Sequence, residues 1–267
     1  IPVTSISEQF GTPLFVLDED HLIRRANQVR IAFEEEFNKA GTSAKVYYAG
    51  KAFLSGAVAR WVSQAGLNID VASSGEMAVV LAAGVSADRI GFHGNNKSQE
   101  EIDRAINAGV GTIVLDSEIE IERVAVSALR HGRRQRVRLR VNSGVHAHPH
   151  SFLATAHEDQ KFGVALRDVP ALVARIRSRS SLRFLGLHSH IGSQIFGISG
   201  FVEAAQRLLD VHAELLADGD VPELNLGGGF GIAYTSVDSP TDAADLGAEL
   251  VHEVARICGE KGIAIPA

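Results

Sequence analysis

Short apolar runs alternate with longer stretches whose apolar positions recur at helical spacing, and this rhythm fills most of the chain. The runs at 46–49, 69–72, 90–93, 112–115, 137–141, 184–188 and 223–226 read as strands. The stretches at 55–65, 74–83, 98–108, 118–129, 169–177, 201–216 and 243–261 read as helices. Several helices open on serine and close near Gly66, Gly84 or Gly109, the residue types that satisfy the orphan groups at helix ends. Upstream of the rhythm, residues 13–17 (PLFVL) predict a further strand and residues 19–38 a long amphipathic helix.

Strands separated by helices of this length build βαβ units and a parallel sheet. The α/β class therefore follows, and within it a (β/α)8 TIM barrel is favoured over a doubly wound sheet. A doubly wound sheet gathers its site at one switch point, whereas the distinctive residues here follow many different strands. The pattern supplies only seven strand–helix units. After the helix at 243–261 only 263–265 are strand-like before Pro266, so the barrel is expected to stop before its eighth strand. Residues 142–163 form a long, histidine-rich connection carrying His146, His148 and His150, read as a mobile polar loop.

Bulk composition narrows the function. The chain has 267 residues, enough for one large barrel domain, with ordinary hydrophobic (45%) and charged (22%) content. A net charge of −6 without a long basic run argues against nucleic acid and against a polybasic membrane anchor. No apolar stretch reaches the roughly 18 residues needed to cross a bilayer. The single cysteine, Cys258, excludes an internal disulfide and suits a reducing, cytoplasmic setting. The chain starts at Ile1 with no signal-peptide pattern and finishes on an apolar run, so both ends are expected to be interruptions.

Candidate chemistry sits at strand ends. Lys51 directly follows the first strand of the series, where a partly desolvated amine can condense with a carbonyl cofactor. By itself such a lysine reads more simply as a surface residue. Gly227, Gly228 and Gly229 follow the seventh strand, a common place for phosphate in barrels, and a flexible turn is the competing reading. His188-Ser189-His190-Ile191-Gly192-Ser193-Gln194 ends the sixth strand. His188 is read there as a satisfied core residue, and a zinc site is disfavoured because no cysteine or carboxylate lies near in sequence. Asp70 and Arg140 lie within strands, where charge is costly unless paired; a structural ion pair and a place beneath a cofactor both remain open. The segment from His93 to Ser98 lines the mouth or merely caps a helix through Asn96 or Ser98.

Taken together, FGTPLFVLD at 10–18, YYAGKAF at 47–53, DVASSGE at 70–76, HGNNKS at 93–98, AHEDQKFG at 156–163, GLHSHIGSQIF at 186–196 and LNLGGGFGIAY at 224–234 resemble the fold-type-III pyridoxal-phosphate decarboxylases. Within that family the actinobacterial branch acting on diaminopimelate is most similar. The resemblance implies an alanine racemase-like barrel, pyridoxal 5'-phosphate, and a small amino-acid substrate. It also implies a homodimer. Relatives acting on ornithine, lysine, arginine or carboxynorspermidine, and non-catalytic pyridoxal-phosphate barrels, are the alternatives. By resemblance, Lys51 carries the cofactor and His190 stacks on its ring. Ser193 with Gly227–Gly229 cradles the phosphate, and Asp70 and Arg140 lie beneath the ring. No metal is implied.

The family's EPGR motif and its Cys-x-Ser-x-Asp loop do not occur in the sequence. The chain is therefore expected to be a portion of the enzyme, inactive as it stands. Residues 1–18 are expected to associate with a further β-domain, and 19–267 to form the barrel.

Overall fold

The computed structural model describes residues 2–145 and 162–267. Seven parallel strands follow one another around an open barrel: β1 (Tyr47–Ala49), β2 (Asn68–Val71), β3 (Ile90–Phe92), β4 (Thr112–Leu115), β5 (Gln135–Asn142), β7 (Leu182–His188) and β8 (Glu223–Asn225). A two-residue strand, β6 (Val164–Ala165), pairs only with the end of β5. β3 and β4 are buried at every position, as expected of parallel strands covered on both faces.

The α-helices of the described residues are α1 (Val3–Phe10), α2 (Glu19–Lys39), α3 (Gly56–Gln64), α4 (Ser74–Ala82), α5 (Gln99–Ala108), α6 (Glu118–Arg130), α7 (Val169–Arg177), α8 (Ser199–Leu215) and α9 (Ala243–Lys261). The serine caps form as the sequence predicts. Ser55 Oγ accepts from the Val58 amide and Ser73 Oγ from the Glu76 amide. Ser98, rather than Asn96, opens α5 through a reciprocal box with Glu101. Each such cap contributes about 1 kcal/mol and fixes where the chain leaves a strand end and enters its helix.

Two large apolar clusters hold most of the shell, with a small third one of Ala26, Ala65 and Leu67 between α2 and β1. The larger lies between the sheet and its helices around Ile69, Phe92, Ile113, Leu139 and Ile176. The other joins α8 and α9 through Phe201, Leu209, Leu250 and Ile257, with Phe33 of α2 against it. Cys258 is buried there on α9.

Residues 13–17 are not a strand. They lie outside every sheet and are exposed throughout, Phe15 completely. An apolar run becomes a strand only where a partner supplies its ladder, and no described strand runs beside this one. Residues 263–265 likewise form no strand. Two residues on, the Leu224 amide donates to Ala267 O at 2.9 Å and the Ala267 amide to Pro222 O at 3.0 Å, along the outer edge of β8. His146, His148, His150 and residues 156–161 lie outside the described residues.

Candidate functional site

The strands end at one mouth, and the sequence-predicted residues meet there. A cavity of about 1690 Å³ is lined by Lys51, Asp70, Arg140, His190, Ser193 and Gly227–Gly229. His93, His188 and Asn225 line it as well.

Lys51 sits in a tight 3-10 turn, Gly50–Ala52, directly after β1. The turn tucks onto β2 because residue 50 is glycine: a Cβ there would stand 2.8 Å from Asp70 O. That packing leaves the Lys51 side chain exposed toward the cavity.

Asp70 and Arg140 do not pair with each other. Asp70 Oδ1 lies 3.2 Å from His93 Nε2, and neither atom makes a hydrogen bond among the described residues. Arg140 approaches Asp116 at 3.6 Å, beyond hydrogen-bond range, and places its guanidinium over the Phe162 ring at 4.7 Å. Burial pulls the Arg140 pKa down, and Asp116 opposes that only in part.

His188 and His190 differ in burial and in partners. His188 is buried, with Nδ1 3.0 Å from Asn225 Oδ1 and its ring edge-on to His93 at 5.1 Å. Burial drives its pKa well below the usual histidine value, with the charges of His93 and Arg140 adding to the effect. His190 is only half-buried. Its pKa falls to about 4, first through burial and then through the neighbouring charges of Lys51 and Arg140. Both rings are therefore neutral at pH 7.

The glycine loop is packed against the loop after β7. A Cβ on Gly227 would stand 2.5 Å from Ser189 O, and one on Gly229 would overlap Gly192 O. Both glycines have positive φ, 77° and 98°. A Cβ on Gly228 would meet nothing within 4 Å, so open space adjoins this residue, and it lines the cavity together with exposed Ser193. Phe230 anchors the loop behind, against Phe201 at 5.2 Å and Phe33 at 5.9 Å.

This donor set fits a phosphorylated carbonyl compound. An accessible amine stands on one wall and a glycine cradle on another, with a cation and a carboxylate between them. Lys97, the other lysine of the mouth motifs, does not fit that role. It is buried and donates to Gly94 O at 2.5 Å and Val114 O at 2.8 Å, with Glu120 at 2.9 Å.

Residues 20–266 match the family described as pyridoxal-dependent decarboxylase, pyridoxal binding domain. The chain belongs to this family. It is 45% identical over 258 residues to the diaminopimelate decarboxylase of Mycobacterium tuberculosis, an alignment covering 94% of this chain and 56% of that protein. With the Bacillus subtilis diaminopimelate decarboxylase it shares 38% over 265 residues, covering 98% and 60%. The crystal structure of diaminopimelate decarboxylase from M. jannaschii, in co-complex with L-lysine, superimposes with a TM-score of 0.89 at 29% identity, covering 99% of this chain and 61% of that one. The chain thus spans a little over half the length of the curated relatives it matches.

Sequence reasoning missed two supports of the site. Asp116 follows β4 directly and was marked by the same strand-end position that singled out Lys51. Asn225 ends β8 and accepts both from the Gly227 amide at 2.8 Å and opposite His188. Its place just before the three glycines was the available signal.

Proposed function

We propose that this chain is the cofactor-binding part of a pyridoxal-phosphate-dependent decarboxylase that converts meso-diaminopimelate to lysine and carbon dioxide. The observation that carries the reading is the convergence of Lys51, Asp70, Arg140, His190, Ser193 and the glycine loop on one cavity. The identity to diaminopimelate decarboxylases over nearly the whole chain supports the choice of substrate.

In this assignment Lys51 holds the cofactor covalently, and Ser193 with the backbone of Gly227–Gly229 receives its phosphate. His190, neutral at pH 7, would pack against the cofactor ring without adding charge. Asp70 and Arg140 would set the electrostatic potential around it. When bound, pyridoxal phosphate supplies the electron sink for the bond to the departing carboxylate. The walls of the cavity orient the substrate and exclude water from the reacting carbon.

The same reading takes the full-length protein as a cytoplasmic homodimer in which residues 1–18 pack on a further domain. The exposed apolar side chains of Phe10, Phe15 and Val16 support such a covering surface. Sedimentation of the full-length protein checks the dimer.

Borohydride reduction of the cofactor-loaded protein, followed by peptide mapping, is expected to label Lys51. Label on Lys97 would overturn the assignment. Full-length protein is expected to release carbon dioxide from meso-diaminopimelate far faster than from ornithine, lysine, arginine or carboxynorspermidine. The reverse order would move the substrate elsewhere in the family.

A further inference from the structure

The two loops of the glycine cradle follow different strands, yet they are joined like a short sheet. The Ile195 amide donates to Gly229 O at 2.9 Å, and the Gly231 amide donates back to Ile195 O at 2.8 Å. This is a single parallel bridge between Ile195 and Phe230. Beside it, Gln194 pairs with both backbone groups of one residue of the opposite loop. Its Nε2 donates to Ile232 O at 3.0 Å, and its Oε1 accepts from the Ile232 amide at 3.0 Å.

Gln194 makes this pair from an unfavourable backbone. Its φ is 57°, the one positive value at a non-glycine among the described residues. A glutamine held in the left-handed region is strained unless its surroundings hold it there. The side chain is half-buried and is not among the residues that line the cavity. The loops it joins carry Ser193 on one side and Gly227–Gly229 on the other, all lining the cavity. Three glycines give one of these loops wide freedom when it is not restrained.

We infer that Gln194 is a positioning residue: its amide staples the loop after β7 to the loop after β8, and so fixes the spacing of the cradle for the phosphate monoester of the cofactor. The inference rests on the assignment of that cradle. Gln194 touches no ligand in this account. It acts through Ser193 on its own loop and through the glycines on the other. Because Ile232 is exposed, water replaces the lost partners when the staple is removed, and the fold survives.

The test uses full-length protein and two probes, pyridoxal phosphate and pyridoxal, which differ only in the phosphate. Gln194→Asn keeps a residue tolerant of positive φ but is too short to reach Ile232. Gln194→Met keeps the length and removes both hydrogen bonds. Wild type is expected to bind pyridoxal phosphate more tightly than pyridoxal. Both variants are expected to lose roughly tenfold in affinity for pyridoxal phosphate, the scale of about two modest hydrogen bonds. Their affinity for pyridoxal is expected to stay within about twofold, well inside that tenfold scale. Variants that keep the full phosphate preference overturn the staple while leaving the cradle standing. Equal losses for both probes also overturn it, since they mark a general structural defect. A wild type that does not discriminate between the probes sinks the cradle assignment, and the staple with it.

Discussion

Two rows of side chains cross the barrel interior two residues apart, and they are built differently. In the inner row Arg138 of β5 faces Glu223 of β8 across Gly186 of β7. The guanidinium makes contacts of 2.5 and 2.9 Å to Glu223 Oε2, Lys45 reaches the other oxygen at 2.8 Å, and the Tyr47 ring lies 5.5 Å away. In the outer row Arg140 is in register with His188 and Asn225, and its carboxylate partner Asp116 stands off at 3.6 Å. Burial opposes the charge of both arginines. In the inner row Tyr47 and Glu223 outweigh it and the Arg138 pKa rises; in the outer row it prevails and the Arg140 pKa falls. The same residue type on the same strand face is thus tied by a close ion pair in one row and left with a distant partner in the other.

The contrast breaks most visibly at Glu223. Glu223→Ala leaves Arg138 buried against Tyr47 alone and is expected to cost about 3–5 kcal/mol in urea unfolding. A cost below about 1 kcal/mol would remove the structural status of the inner row. Next comes the pair of histidines. His188→Ala is expected to destabilise by about 1–3 kcal/mol, because Asn225 loses a buried partner. His190→Ala is expected to leave stability nearly intact and weaken cofactor binding more than His188→Ala does, as read by titration. Equal losses in both assays would merge their roles.

Arg140→Met is expected to change stability by only about 1 kcal/mol, since the approach to Asp116 is too long for a hydrogen bond. It should nevertheless lower cofactor affinity, and a stability loss matching that of Glu223→Ala would erase the difference between rows. The smallest effect is on acid sensitivity. His188, His190 and His212 all have folded pKa values below the unfolded value of 6.5, about 4 for His190 and His212. Between pH 6.5 and about 4 the unfolded chain takes up protons that the native rings refuse, so stability falls as pH drops through that window. His190→Gln is expected to flatten this slope slightly, because the other two histidines carry the same sign. A steeper slope in the variant would mean that His190 gains a proton on folding.

The seven barrel strands were legible because short apolar runs alternate with helical stretches, and in several units serine caps and closing glycines agree with them. Lys51, Asp70, Arg140, His190, Ser193 and the glycine loop were legible as positions, and they do share one cavity. Residues 13–17 misled because local hydrophobicity carries no information about a ladder partner. α1 and β6 are too short, at eight and two residues, to leave a periodic signal. Non-local pairings were not legible. Nothing along the chain announces that Asp70 meets His93 while Arg140 leans toward Asp116, or that Gln194 reaches a peptide 38 residues away.

Gly91 shows how far such pairings extend. It sits beside Asp70 in the β2–β3 register, and a methyl group on it would overlap Asp70 Oδ1. Position 91 holds no ligand-facing group, yet it leaves the space in which the carboxylate stands. The two positions are therefore coupled: a side chain at 91 would have to push the carboxylate aside, so Asp70 keeps its place because position 91 is bare. Mutational tolerance at this buried glycine reports on whether the charge opposite is still in use.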